Sequence, residues 1–174
     1  LSALQAVRHG SNLEMLGCQV QIFLRMARVD LAEKTVKTMA EKDDEASMTQ
    51  LATAWLYMYQ GGPKFQEAAY LYQELGDKFG VSSVLLNGQA AANLHQQNFD
   101  EADRLLIEAA SKSQTDPDTL VNQIVCAQHM NKGSQATNRL ISQLKREHPN
   151  HAFVETLATQ EGAFDRVAAG FGGA

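Results

Sequence analysis

The chain has 174 residues, 44% of them apolar and 20% charged, a balance that supports a continuous buried core and argues against disorder. A formal charge of -5, with Lys and Arg scattered rather than gathered in a stripe, weighs against nucleic acid or an anionic membrane surface as a direct ligand. No run approaches the roughly eighteen unbroken apolar residues of a spanning helix, so none is expected.

The elements read as helices throughout. Leu1 to Arg8 has the pattern of the tail of a second helix whose partner is missing, so the chain is expected to be the C-terminal part of a longer protein. Ser11 and Asn12 are candidate caps for a helix from about Leu13 to Arg28, and Asp30 for a second one reaching Lys42. After the acidic link Glu41 to Glu45, a helix from about Ala46 to Tyr59 stops at Gly61-Gly62, and Pro63 opens the next, which Gly80 ends near Phe79. Ser82 caps the first member of a pair running from Val84 to about Ser111. Asp116-Pro117 starts a helix to about Met130, and another covers Ser134 to Glu147. Pro149-Asn150 opens a segment through Gln160, a short closing helix is expected over Glu161 to Ala169, and the Gly-rich tail Gly170 to Gly173 should fray. No segment alternates strand-wise without also fitting a helix, so the fold is expected to be all-α.

The chain also repeats. Phe65-Gln66-Glu67-Ala68-Ala69-Tyr70-Leu71 returns thirty-four residues later as Phe99-Asp100-Glu101-Ala102-Asp103-Arg104-Leu105. A period of that size fits two helices and two turns, a unit that buries its apolar face only against a neighbour. The same spacing carries Ala102 to Ala136 and Leu106 to Leu140, and a spacing of thirty-six carries Ala32 to Ala68, which makes four units plus a C-terminal capping segment in one domain over residues 1–174. The small residue (Ala32, Ala68, Ala102, Ala136) lets the two helices of a hairpin approach within roughly 8 to 10 Å. Val36, Tyr72, Leu106 and Leu140, then Met39, Leu75 and Ala109, continue one apolar stripe.

Ala102, Leu106 and Ala109 resemble the second helix of a tetratricopeptide repeat, and Ala90 stands where that family has its small residue at the first-helix crossing; Val20, Leu56 and Ile124 are bulkier there. The resemblance implies a right-handed α-solenoid of antiparallel helix pairs whose first helices line a groove. In that frame Thr53, Tyr57, Asn87, Ala91, Leu94, Val121, Val125 and Gln128 project into the groove as candidate partner contacts, several of them apolar as burial against a partner requires. Trp55, Tyr59 and Tyr72 are expected in the core.

Leu51-Ala52-Thr53-Ala54-Trp55, Leu85-Leu86-Asn87-Gly88-Gln89-Ala90-Ala91, Thr119-Leu120-Val121-Asn122-Gln123-Ile124-Val125 and Thr137-Asn138-Arg139-Leu140-Ile141-Ser142-Gln143-Leu144-Lys145 together resemble the epsilon subunit family of coatomer, from about residue 3 to Arg166. That resemblance implies a non-catalytic component of the COPI coat that binds the C-terminal domain of the alpha subunit of coatomer, meets the other subunits indirectly, and works from the cytoplasm on Golgi membranes and vesicles in Golgi-to-ER and intra-Golgi transport. Membrane association would come only through the assembled coat. The alternative is a tetratricopeptide co-chaperone or adaptor that grips a peptide segment.

The residues offer no competing chemistry. Cys18 and Cys126 lie far apart within helical patterns and are expected as small buried hydrophobes. His95 and His129 fall thirty-four residues apart at equivalent positions, expected to face solvent or a partner and lacking the further ligands a metal needs. No catalytic residue, cofactor or metal is expected.

Overall fold

A computed structural model describes residues 2–7 and 10–171. In chain order the helices are α1 (Ser2–Val7), α2 (Leu13–Arg25), α3 (Val29–Lys42), α4 (Ser47–Gln60), α5 (Lys64–Phe79), α6 (Ser83–His95), α7 (Phe99–Lys112), α8 (Pro117–His129), α9 (Ser134–Glu147) and α10 (Ala152–Phe171), with no strand among the described residues. Leu1, Arg8, Gly172 and Gly173, on which parts of the terminal readings fall, lie outside them.

Local chemistry sets the helix starts. Asn12 Oδ1 accepts from Met15 N at 2.9 Å, Ser82 Oγ from Leu85 N at 3.4 Å, and an Asp116 carboxylate oxygen from Thr119 N at 2.9 Å, each satisfying an amide that has no partner within its helix. Asp30 does not cap. It sits inside the first turn of α3 and pairs with Arg28 at 2.8 Å, and that guanidinium holds its carboxyl at about 2.

The repeat is written in the backbone of the turns. Ala27, Gln97 and Asn131 all take left-handed conformations, with φ of 56°, 64° and 50°. Just after each, an amide reaches back five residues: Arg28 N to Phe23 O at 2.9 Å, Asn98 N to Asn93 O at 2.9 Å, and Lys132 N to Ala127 O at 3.0 Å. This arrangement ties off the last carbonyls of a helix and normally favours Gly. In the α4–α5 turn the left-handed position is held by Gly61, at φ 74°.

Helices α2–α3, α4–α5, α6–α7 and α8–α9 pair as hairpins, and the second helix of each of the first three packs on the first helix of the next. Ala32, Ala68 and Ala102 have no exposed surface, so the small residue does sit at the close approach. Ala90 is buried with Ala102, Leu105, Leu106 and Ala109 in one cluster, while Leu16, Val20, Ala32, Val36, Met39 and Leu56 fill another near the N-terminal end. Each buried aliphatic in these clusters stabilises by roughly 1.5 to 3 kcal/mol. The arrangement is that of an all-α helical solenoid.

The last unit departs from the thirty-four-residue register. Between α6 and α7 lie Gln96, Gln97 and Asn98, whereas Met130, Asn131, Lys132 and Gly133 separate α8 from α9. The extra residue, Gly133 at φ 87°, starts the helix one position later. Thr137 therefore takes the buried place of Ala102, Leu144 (1% exposed) that of Ala109, and Ala136 is only half-buried.

Several other expectations are corrected. Cys18 is exposed while Cys126 is buried, and Tyr59, in the last turn of α4, is 47% exposed. The closing segment is one continuous helix, α10, running across Gln160 and Gly162 and through Gly170. His95 and His129, both exposed, do not stand free: they stack on Phe65 (centroids 4.5 Å apart) and Phe99 (4.8 Å), so the same ring pair recurs in successive units and joins a second helix to the end of the next first helix.

Candidate partner-binding groove

The first helices make the candidate wall. α2 packs on α4 and α6 on α8, while Leu85 of α6 joins Leu51 and Trp55 of α4 around the cluster of Ala54, Ala68 and Tyr72. Gly88 of α6 lies against the buried ring of Tyr72 on α5, so close that a Cβ there would meet Cε1 and Cζ at 2.5 Å. Without a side chain at 88, α6 lies close against α5.

A cavity of about 280 Å3 lies between α4, α6 and the N-terminus of α8, lined by Trp55, Tyr72, Val84, Asn87, Asp116, Asp118, Val121 and Asn122. Burial raises the Tyr72 hydroxyl to about 12. A second, mostly apolar recess of about 390 Å3 lies between Met48 and Leu51 of α4, Leu75 and Phe79 of α5, and Val84 and Leu85 of α6. Phe79 and Val84 are each 64% exposed, so apolar surface lies open there.

A polar cluster fixes the cavity's far side. The two N–H groups of Asn87 Nδ2 are shared among Thr119 Oγ1 (2.6 Å), Asp116 Oδ2 (3.0 Å) and Ser83 O (3.0 Å), while Asn122 Nδ2 donates to Asn87 Oδ1 at 3.1 Å. Thr119 Oγ1 also donates to Asp116 Oδ2 at 2.6 Å. A buried cluster satisfied in this way locks the spacing of α6 and α8.

The sequence candidates divide accordingly. Asn87 lines the cavity but is only 7% exposed, and its amide ties α6 to α8. Val121 lines the cavity beside it. Thr53 is half-buried with its hydroxyl donating to Thr49 O at 2.8 Å, and the half-buried Tyr57 ring carries Lys64 Nζ 4.3 Å from its centroid. Ala91 and Val125 are half-buried, and Leu94 packs against the Leu86–Cys126 core cluster. Gln128 is exposed at a separate cleft between α8 and α9, with Asn131, Ser134 and Asn138. The sequence reading passed over Val84, Gly88, Asp118 and Asn122. The glycine in Leu85-Leu86-Asn87-Gly88 was the available signal, since a mid-helix Gly often marks a close backbone approach.

Four stacked hairpins with a partly apolar wall define a helical-repeat protein. The family model for the coatomer epsilon subunit matches residues 2–172, and the chain belongs to that family. It is 40% identical over 169 residues to coatomer subunit epsilon-1 of Arabidopsis thaliana, covering 97% of this chain and 57% of the relative. To coatomer subunit epsilon-1 of Oryza sativa subsp. japonica it is 42% identical (95% of this chain, 56% of the relative), and to coatomer subunit epsilon of Caenorhabditis elegans 37% identical (95% and 57%). The chain thus spans a little over half the length of these relatives.

Proposed function

We infer that the chain is part of a non-catalytic scaffold subunit of the COPI vesicle coat and that its groove seats the alpha subunit of coatomer through that subunit's C-terminal domain. The observation that carries this reading is the wall of α4, α6 and α8. Their sequences contain no Lys or Arg, and half-buried apolar side chains interrupt their surface where a partner could cover them. Membership of the coatomer epsilon family supplies the partner class. The candidate contacts are Val121, Val125, Ala91, Thr53, Tyr57 and Gln128, with Asn87 and Leu94 holding the wall from within.

On this reading the protein acts at the cytoplasmic face of Golgi membranes and COPI vesicles in Golgi-to-ER and intra-Golgi transport, and reaches the membrane only through the assembled coat. No helix of the described residues is long and apolar enough to cross a membrane. A peptide clamp for acidic tails is disfavoured, because such a clamp needs cationic side chains on these same helices. The test is co-elution in size-exclusion chromatography of the full-length protein with the C-terminal domain of the alpha subunit. A stable complex is expected, and separate elution of two folded proteins at micromolar concentration would overturn the reading.

A further inference from the structure

We propose that the cavity between α4, α6 and the start of α8 is a socket for a basic side chain, an arginine in the first place, of the bound partner. This deepens the groove reading and rests on it for the identity of the partner, though not for the chemistry of the socket.

The walls and rim are complementary to such a side chain in different ways. Trp55 offers an aromatic face at the floor, and Val84 and Val121 offer apolar flanks along which an aliphatic stem can lie. The rim carries acceptors. Asp118 is 77% exposed, and the Asp116 carboxylate beside it is held in place by Thr119 and Asn87. Asn122 gives one N–H to Asn87, and its oxygen is a further acceptor beside the rim. No Lys, Arg or His lines the cavity, so no cation pairs the two carboxylates from within, and Asp116 Oδ2 has only the neutral donors of Thr119 and Asn87. A cation-capable group from outside already approaches one of them: His151 Nε2, just ahead of α10, lies 3.9 Å from Asp118 Oδ1.

Arginine suits this arrangement better than lysine. Its planar guanidinium stacks on an aromatic face while its fork of donors bonds carboxylate oxygens at the edge, and it loses less hydration than an ammonium on entering a partly apolar recess. An anionic side chain would meet Asp116 and Asp118 as like charges, and a purely apolar one would strip water from them without replacing it.

The test has two arms. In the first, the full-length protein and its Asp118→Asn and Asp118→Lys variants are titrated with the alpha subunit's C-terminal domain. Loss of a charge-assisted bond should weaken binding about tenfold in the Asn variant, and reversal of the charge should weaken it further. In the second, 5-fluorotryptophan at position 55, assigned by its loss in Trp55→Phe, is followed by fluorine NMR. Trp55 is the only tryptophan among these 174 residues. Its signal should shift with N-acetyl-arginine amide, should not shift with N-acetyl-glutamate amide, and should stay unmoved by either in Asp118→Lys. Unchanged affinity in both Asp118 variants, or a fluorine signal indifferent to arginine, overturns the socket. If the unmodified protein fails to bind the alpha subunit but its Trp55 signal follows arginine, the choice of partner falls and the socket stands.

Discussion

Replacing Gly88 by Ala tests the close packing of α6 on α5. A Cβ at 88 would lie 2.5 Å from Tyr72 Cε1 and Cζ and 2.8 Å from Cδ1. Carbon atoms prefer separations of roughly 3.5 to 4.0 Å, so the ring or the helix must retreat by about 1 Å. Tyr72 is 5% exposed and packs with Ala54 and Ala68, and overpacking of such a site costs about 1 to 3 kcal/mol. Against this stands the helix preference for Ala over Gly, about 1 kcal/mol. The net expectation is a loss of about 1 kcal/mol, or about 2 to 4 °C in Tm for a domain of this size. Gly76→Ala is the matched control. It lies in the neighbouring helix with Val81 Cγ2 at an ordinary 3.5 Å from its added carbon, and should gain about 1 kcal/mol from the same helix preference. Urea denaturation of the two variants should separate them by about 2 kcal/mol, and the gap should shrink once Tyr72 is replaced by Leu. Equal stabilisation by both substitutions would refute the close approach of α6 and α5.

Other perturbations probe other contacts. Asp116→Ala removes the cap of α8 and strands Asn87 and Thr119, and should lower stability by about 1 to 3 kcal/mol in denaturant titration; a change within a few tenths would show that the polar cluster is not closed. Burial raises Tyr72 from 10.0 to about 12, so the folded state holds that proton longer than the unfolded chain. Its contribution is therefore complete below pH 10 and lost as pH rises from about 10 to about 12, and Tyr72→Phe should flatten that part of the stability profile. An identical alkaline decline in the variant would mean that the hydroxyl is solvated. Gln97→Gly relieves a left-handed residue in the α6–α7 turn, and after the extra chain entropy of glycine should raise stability by about 0.5 kcal/mol. A fall in Tm would argue against that turn geometry.

Much of the fold was legible because the repeat satisfies local and neighbour demands with the same residues. The alanines at 32, 68 and 102 had to be small for the hairpins to close, and their spacing therefore appears directly in the chain. The caps Asn12, Ser82 and Asp116 were legible for a similar reason, since a free amide at a helix start needs an acceptor within three residues. What escaped was whatever depended on one inserted or missing atom group. Gly133 lengthens a turn by one residue and moves the buried role from Ala136 to Thr137, a slip that periodicity alone passes over because both residues occupy adjacent positions on the same helix. The left-handed Ala27, Gln97 and Asn131 carried no common glycine to announce them.

The candidate site was only partly legible. Spacing put Val121 on the wall, yet it could not distinguish Asn87 as a buried tie from Asn87 as a contact, because that depends on where Thr119 and Asp116 arrive from the next unit. By itself the chain determined that helices form, where most begin, and that they nest as repeating pairs, since those outcomes follow from neighbours in sequence and from a fixed period. Only the tertiary structure decided how far each pair leans on the next: the bare Gly88 lets α6 lie against Tyr72 of α5, and the cavity falls where α4, α6 and the start of α8 meet. The reason is that the relative position of two hairpins is set by which side chains interlock across them, and a few ångströms of shape at one crossing outweigh any pattern along either helix.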